Sequence, residues 1–128
     1  MTNSTLIRQT LTSNIPELKE NTIIIDKYDC IDLSQIENGV LLIYASWSVQ
    51  SIINCSMTIQ ALYGENFVGQ IILVDIDRLT PDYQIEKLGQ LCHGWGEIFT
   101  INNGKILSKY LGKDSYLNYK ADRERNFK

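Results

Sequence analysis

The run Gly39-Val40-Leu41-Leu42-Ile43-Tyr44 and the stretch Ala45-Ser46-Trp47-Ser48-Val49-Gln50-Ser51 that follows it decide the fold. A strand with one wet face alternates apolar and polar residues. This run does not alternate, so it reads as a strand buried on both faces, central in a sheet with helices on each side. Beyond it, Ile52, Ile53, Met57, Ile59, Leu62 and Tyr63 recur at helical spacing, and Gly64 is the expected stop. The junction is strand, then a turn over Ser48 to Ser51, then helix.

Working outward, Thr22-Ile23-Ile24-Ile25 is β-branched and reads as a strand, and Asp29 to Ile36 as a short helix. Thr5 to Leu18, with Leu6, Leu11 and Ile15 broken by Pro16, reads as an N-terminal helix. Downstream, Val68 to Val74 is a second buried strand with Asp75-Ile76-Asp77 at its exit, and Pro81 begins a helix over Asp82 to Leu91. Glu97 to Ile101 and Lys105 to Leu111 flank Asn102-Asn103-Gly104 as a β-hairpin, and a last helix runs from about Ser115 to Arg123. Alternation followed by a hairpin predicts an α/β three-layer sandwich, a mixed central sheet of four to five strands with helices on both faces, a description that several folds share. The expected divisions are an N-terminal helical extension (1–21), the α/β domain (22–119) and a basic C-terminal tail (120–128).

With 128 residues the chain is long enough for one domain with a full core. Cys30, Cys55 and Cys92 are odd in number and widely spaced, which suits neither a disulfide framework nor a zinc site and points to a reducing compartment. No basic cluster leads into an apolar run at the N-terminus, and no stretch nears the ~20 apolar residues that span a bilayer. A cytoplasmic protein with no membrane role is expected. The formal charge of -3 argues against a nucleic-acid partner, although it is unevenly spread: Met1 to Glu97 carries -7 and Ile98 to Lys128 carries +4.

Residues 22 to about 119 resemble the thioredoxin family. The resemblance rests on Ala45-Ser46-Trp47 between strand and helix, on Val74-Asp75-Ile76-Asp77 at a strand exit, on Asn103-Gly104-Lys105 at the hairpin turn, and on Leu111-Gly112-Lys113 after it. The departures are equally consistent. Ser48 and Ser51 stand at the two positions of the family's Cys-x-x-Cys, and Val49-Gln50 replaces Gly-Pro between them. Gly96 stands where the family has its cis-proline, so the rigid bend there is expected to be lost. Leu42 stands where classical members bury an aspartate. A serine hydroxyl neither ionises near neutral pH nor forms the mixed disulfide of thiol exchange. An engineered cysteine swap would not remove the proline and aspartate too.

In the family the surface beside this turn binds extended peptide. Carried over, it gives a candidate partner-binding groove of Trp47, Ser48, Val49, Gln50 and Ser51, then Trp95 and Gly96, then Leu111, Gly112 and Lys113. Large aromatics dominate interface energetics, and the backbone of Gly94-Trp95-Gly96 could approach a partner strand closely. The competing reading has both tryptophans packing on their own turn and loop. His93, the single histidine, with Ser48 and Glu97 forms a nucleophile set on paper, but nothing in the spacing enforces contact. The three cysteines read as buried small hydrophobes, and Asp75 and Asp77 as strand-end residues without the further ligands a metal needs.

The resemblance implies a redox-inactive protein, without catalytic residues, cofactor or metal, that binds a protein partner as an adaptor, assembly chaperone or inhibitor. Bacterial immunity proteins and hydrogenase-assembly chaperones of this fold have that profile. The alternative is a thiol oxidoreductase using a single cysteine, Cys55 or Cys92, with glutathione or a protein thiol.

Overall fold

A strand that buries both faces needs a hydrogen-bonded strand along each edge and a cover over each side. The computed structural model describes residues 22–25 and 31–126 and has both. Its strands are β1 (Ile23–Ile25), β2 (Asn38–Tyr44), β3 (Gln70–Asp75), β4 (Glu97–Asn102) and β5 (Lys105–Tyr110). They form one five-stranded sheet of order β1-β3-β2-β4-β5, with β2 at its centre. β3 is parallel to β1 and β2, whereas β4 is antiparallel to β2 and to β5. The sheet is mixed, as expected.

The helices are α1 (Val49–Gly64), α2 (Pro81–Tyr83, continuing as a π-helical turn Gln84–Leu88) and α3 (Ser115–Asn126). Val40, Leu42 and Tyr44 of β2 cluster with Cys55, Ile59 and Leu62 of α1 and Tyr119 of α3. Leu41, Ile43 and Ala45 belong to the opposite cluster, with Ile31, Ile36, Leu79, Leu88 and Cys92. From Val40 to Ala45 no residue is more than 3% exposed, which is why the run carries no polar residue. No helix among the described residues is long and apolar enough to cross a membrane.

Several boundaries differ from the sequence reading for local reasons. Between Ile31 and Ile36 there is only a 3-10 turn, Leu33–Gln35, capped by Asp32, whose side chain accepts from the Ser34 N–H. β3 begins at Gln70, because Val68 is 93% exposed and Gly69 lies against the Asn38 carbonyl and the Phe67 ring. The helix expected to reach Leu91 stops at Gly89, which takes φ +82 as its cap. Cys92 therefore lies in a loop beyond the helix, where its N–H donates to Oε1 of buried Gln84 at 2.8 Å. Gly64 is the last residue of α1, and the left-handed residue that ends it is Asn66 at φ 56. α3 runs on to Asn126, so 120–126, read as tail, is its second half. The helix expected over 5–18 and Cys30 lie outside the described residues. The hairpin turn matches its reading: Asn103 and Gly104 both have positive φ, as a two-residue turn that follows the strand twist requires.

Candidate functional site

β2 ends where α1 must begin, and two serine hydroxyls make that junction. Ser48 caps α1: its Oγ accepts from the Ser51 N–H at 3.2 Å, satisfying one of the free donors of the first turn. Ser51 is fully buried. Its Oγ donates to the Ala45 carbonyl at 2.7 Å and accepts from the Ala45 N–H at 3.0 Å, tying the helix to the last residue before the turn. Both hydroxyls serve as hydrogen-bonding pins.

The Trp95–Gly96 segment comes to the same place. The Trp47 ring lies on Gly94, where a methyl group would fall 2.3 Å from Cη2, and Gly94 has φ +81. Gly96 has φ +82, and a methyl group there would lie 2.9 Å from Cβ of Asn54 and 3.0 Å from the Ser51 carbonyl. The segment turns through these two left-handed glycines, with no cis peptide bond among the described residues, and side chains from three elements hold it. Asn54 Nδ2 donates to the Trp95 carbonyl at 2.6 Å and the Lys113 carbonyl at 3.1 Å, while its Oδ1 accepts from the Tyr116 N–H at 3.4 Å. Ser115 Oγ donates to the Gly96 carbonyl at 2.8 Å, and Glu97, 1% exposed, accepts from the N–H groups of His93 and Trp95.

The three expected segments therefore converge at the start of α1. Trp47, Val49 and Trp95 are exposed by 63%, 72% and 39%, while Ser48 and Gln50 are half-buried. Leu111 packs on the core, Gly112 is half-buried and open at its α-carbon, and Lys113 is exposed with its carbonyl held by Asn54. Trp47 packs on the Gly94 loop and still presents most of its surface. Main-chain pairing of a partner with Trp95 is disfavoured, because Glu97 holds its N–H and Asn54 its carbonyl. Sequence reasoning missed Asn54, Glu97 and Ser115 in this positioning role. The available signal was a polar residue, Asn54, in phase with the buried side of α1.

No hydrogen bond joins Ser48 to His93 among the described residues, and Glu97 meets the main chain of His93 rather than orienting its ring. The nucleophile set is not assembled. Cys55 and Cys92 are buried. Burial, reinforced by the negative Glu97, pushes the Cys55 thiol far above its ordinary range, and the same causes, opposed by Lys109, push Cys92 up to about 12. Asp75 is 3% exposed and caps the 3-10 turn Ile76–Arg78 through the Asp77 N–H at 2.9 Å, with burial raising its carboxyl pKa. That is a strand-end role.

No family model and no curated protein matches this sequence. Solved structures do match. Oxidised thioredoxin O2 of Arabidopsis thaliana superposes over 87% of this chain and 98% of its own, at a TM-score of 0.63 and 15% identity. Plasmodium falciparum thioredoxin covers 80% of this chain and 98% of its own, at 0.58 and 16%. Malassezia sympodialis thioredoxin covers 83% and 91%, at 0.58 and 16%. The chain has the thioredoxin fold.

Proposed function

We propose that this protein binds a protein partner at the cleft lipped by Trp47 and Trp95 and performs no thiol–disulfide turnover. One observation carries the binding reading: two tryptophans stand exposed where the Trp47 ring lies on the loop that carries Trp95, a loop pinned from α1, β4 and α3. Rigid aromatic surface costs little entropy to present and contributes most where a partner closes over it. Because the Trp95 main chain is occupied internally, recognition falls to the indole faces, with Val49 and Lys113 beside them. An added strand would meet a Trp95 N–H already given to Glu97 and a carbonyl already accepting from Asn54.

The redox reading follows from chemistry at the same place. Hydroxyls occupy both positions where the fold's oxidoreductases carry thiols, and both are engaged in the main-chain hydrogen bonds described above. The two cysteines of the described residues are buried with raised thiol pKa, so the thiolate that exchange requires is scarce. Occupation of a partner, as adaptor, assembly chaperone or inhibitor in the cytoplasm, is the role this supports. A pull-down from the native organism, followed by titration of the captured partner, tests it. Trp47→Ala and Trp95→Ala should each weaken binding by about 30-fold or more, the loss that a hot-spot tryptophan of ≥2 kcal/mol implies. A partner bound undiminished by both variants would place the interface elsewhere.

A further inference from the structure

The tryptophan cleft lies beyond the last residue of β2, and a second cleft, of about 550 to 740 Å³ class for its kind at 740 Å³, opens at the first, the strand being about 20 Å long. Its polar lining is largely carboxamide. Asn38 opens β2, Gln70 opens β3, Asn102 closes β4, and Asn103 follows in the hairpin turn. Strand pairing sets them side by side, Asn38 opposite Asn102 and Gln70 opposite Gly39. The Asn103 N–H donates to the Glu37 carbonyl at 2.7 Å, which fixes Glu37, the one carboxylate of the lining, beside them. Asparagine is depleted in strands, and near their ends its side chain ordinarily bonds the local backbone. Among the described residues, no hydrogen bond engages the side chains of Asn38, Gln70, Asn102 or Asn103. β5 adds an independent sign. Ile101 pairs with Ile106 but Thr100 with Ser108, so Leu107 is an extra residue, a bulge of the kind that re-aims a side chain beside a site. Leu107 and Val68, both exposed, supply the apolar part of the lining.

We propose that this cleft binds a neutral saccharide. Its volume lies within the range of small-molecule sites, about 300–1,000 Å³. Charge narrows the ligand. No lysine, arginine or histidine lines the cleft, not even Lys105, which pairs with Asn102, so an anion finds no cation there. One exposed carboxylate holds a cation only weakly. No aromatic ring lines it either, so a nucleobase has nothing to stack on. What remains is an uncharged ligand dense in hydrogen bonds. Each carboxamide accepts through oxygen and donates through nitrogen, as each hydroxyl both donates and accepts. Hydroxyls on adjacent ring carbons are spaced to meet the two heads of one carboxamide, or both oxygens of Glu37. The C–H face of the sugar ring then has Leu107 and Val68 to rest on.

The two clefts share no residue, so this proposal and the partner reading fail separately. NMR correlation spectra of the isotope-labelled full chain show the Asn and Gln side-chain amides directly. The probes are the methyl glycosides of glucose, galactose, mannose and N-acetylglucosamine, titrated into the millimolar range. At least one should give saturable shifts of the Asn38, Gln70, Asn102 and Asn103 side-chain signals, while glycerol at equal hydroxyl concentration gives no saturation. Asn102→Ala and Gln70→Ala, at exposed strand ends, should keep the wild-type melting temperature and bind that sugar about 5-fold more weakly. A disaccharide bound more tightly than its parent sugar assigns the end of a sugar chain as the occupant, and equal binding a free sugar. No saturation with any glycoside, saturation by glycerol alike, or affinity unchanged in both variants would overturn the proposal. Saturation by N-acetyl-glycyl-glycine amide alone would overturn it in favour of a peptide.

Discussion

Leu42→Asp is expected to lower Tm by more than about 15 °C at neutral pH, or to abolish the cooperative transition, although it restores the residue type that classical thioredoxins bury here. Leu42 is completely buried, paired in register with Leu73 on β3 and Ile98 on β4, and shares its cluster with Val40, Cys55 and Ile59. The buried cluster around Leu42 is apolar except for the hydroxyls of Tyr44 and Tyr119. Truncation to alanine should cost about 2–5 kcal/mol for lost burial and the cavity left behind. The aspartate adds an unpaired buried charge, which brings the total towards the whole stability of a domain of this size. The sign with pH follows. Burial raises the folded-state pKa of this carboxyl above the unfolded value, so the folded state holds its proton more tightly. Stability of Leu42→Asp should rise as pH falls from 7 towards 4, where Leu42→Ala shows no such gain. Thermal melts of the two variants at both pH values measure the difference, and equal stability at pH 7 would contradict the picture of an apolar cluster under the turn.

Asn54→Ala should cost about 2–4 kcal/mol, because buried partners lose the groups that satisfy them. Asn54 is 3% exposed and joins α1 to the Trp95 carbonyl, the Lys113 carbonyl and the Tyr116 N–H. Asn54→Asp should be worse than alanine, since it keeps the acceptor, loses both donors and points a carboxylate at two carbonyls. The chain has only two tryptophans, Trp47 and Trp95, and both sit at this loop, so intrinsic fluorescence reports it. A red shift and stronger quenching at temperatures well below the melt are expected for Asn54→Ala. Unchanged fluorescence with unchanged denaturant midpoint would mean the loop is held by something else.

What could be read from the sequence divides along physical lines. The central strand was legible because burial on both faces removes alternation, and Val40 to Ala45 show that directly. The hairpin was legible because Asn103-Gly104 is among the few pairs that accept positive φ at both turn positions. The site segments were legible through their landmarks, and they do converge at the start of α1. The fastening was not. Asn54 reaches partners 41 and 59 residues away and Ser115 reaches one 19 away, and such pairings leave no local pattern. At position 96 a sequence shows that proline is absent but not the positive φ that Gly96 takes there. Helix ends moved where a left-handed residue, Gly89 or Asn66, lay a few positions from the apparent stop.

Hydroxyls pinned at Ser48 and Ser51 and buried thiols at Cys55 and Cys92 lead to one central claim, occupation of a partner without exchange. Burial raises both thiols above their ordinary range, so neither readily supplies the thiolate that exchange needs. The direct measurement is turnover in insulin reduction and glutathione-disulfide exchange, comparing the wild-type chain with a variant in which Cys30, Cys55 and Cys92 are all replaced by alanine. The account predicts that the two are indistinguishable from each other and from the uncatalysed rate. Cysteine-dependent turnover by the wild-type protein would contradict it.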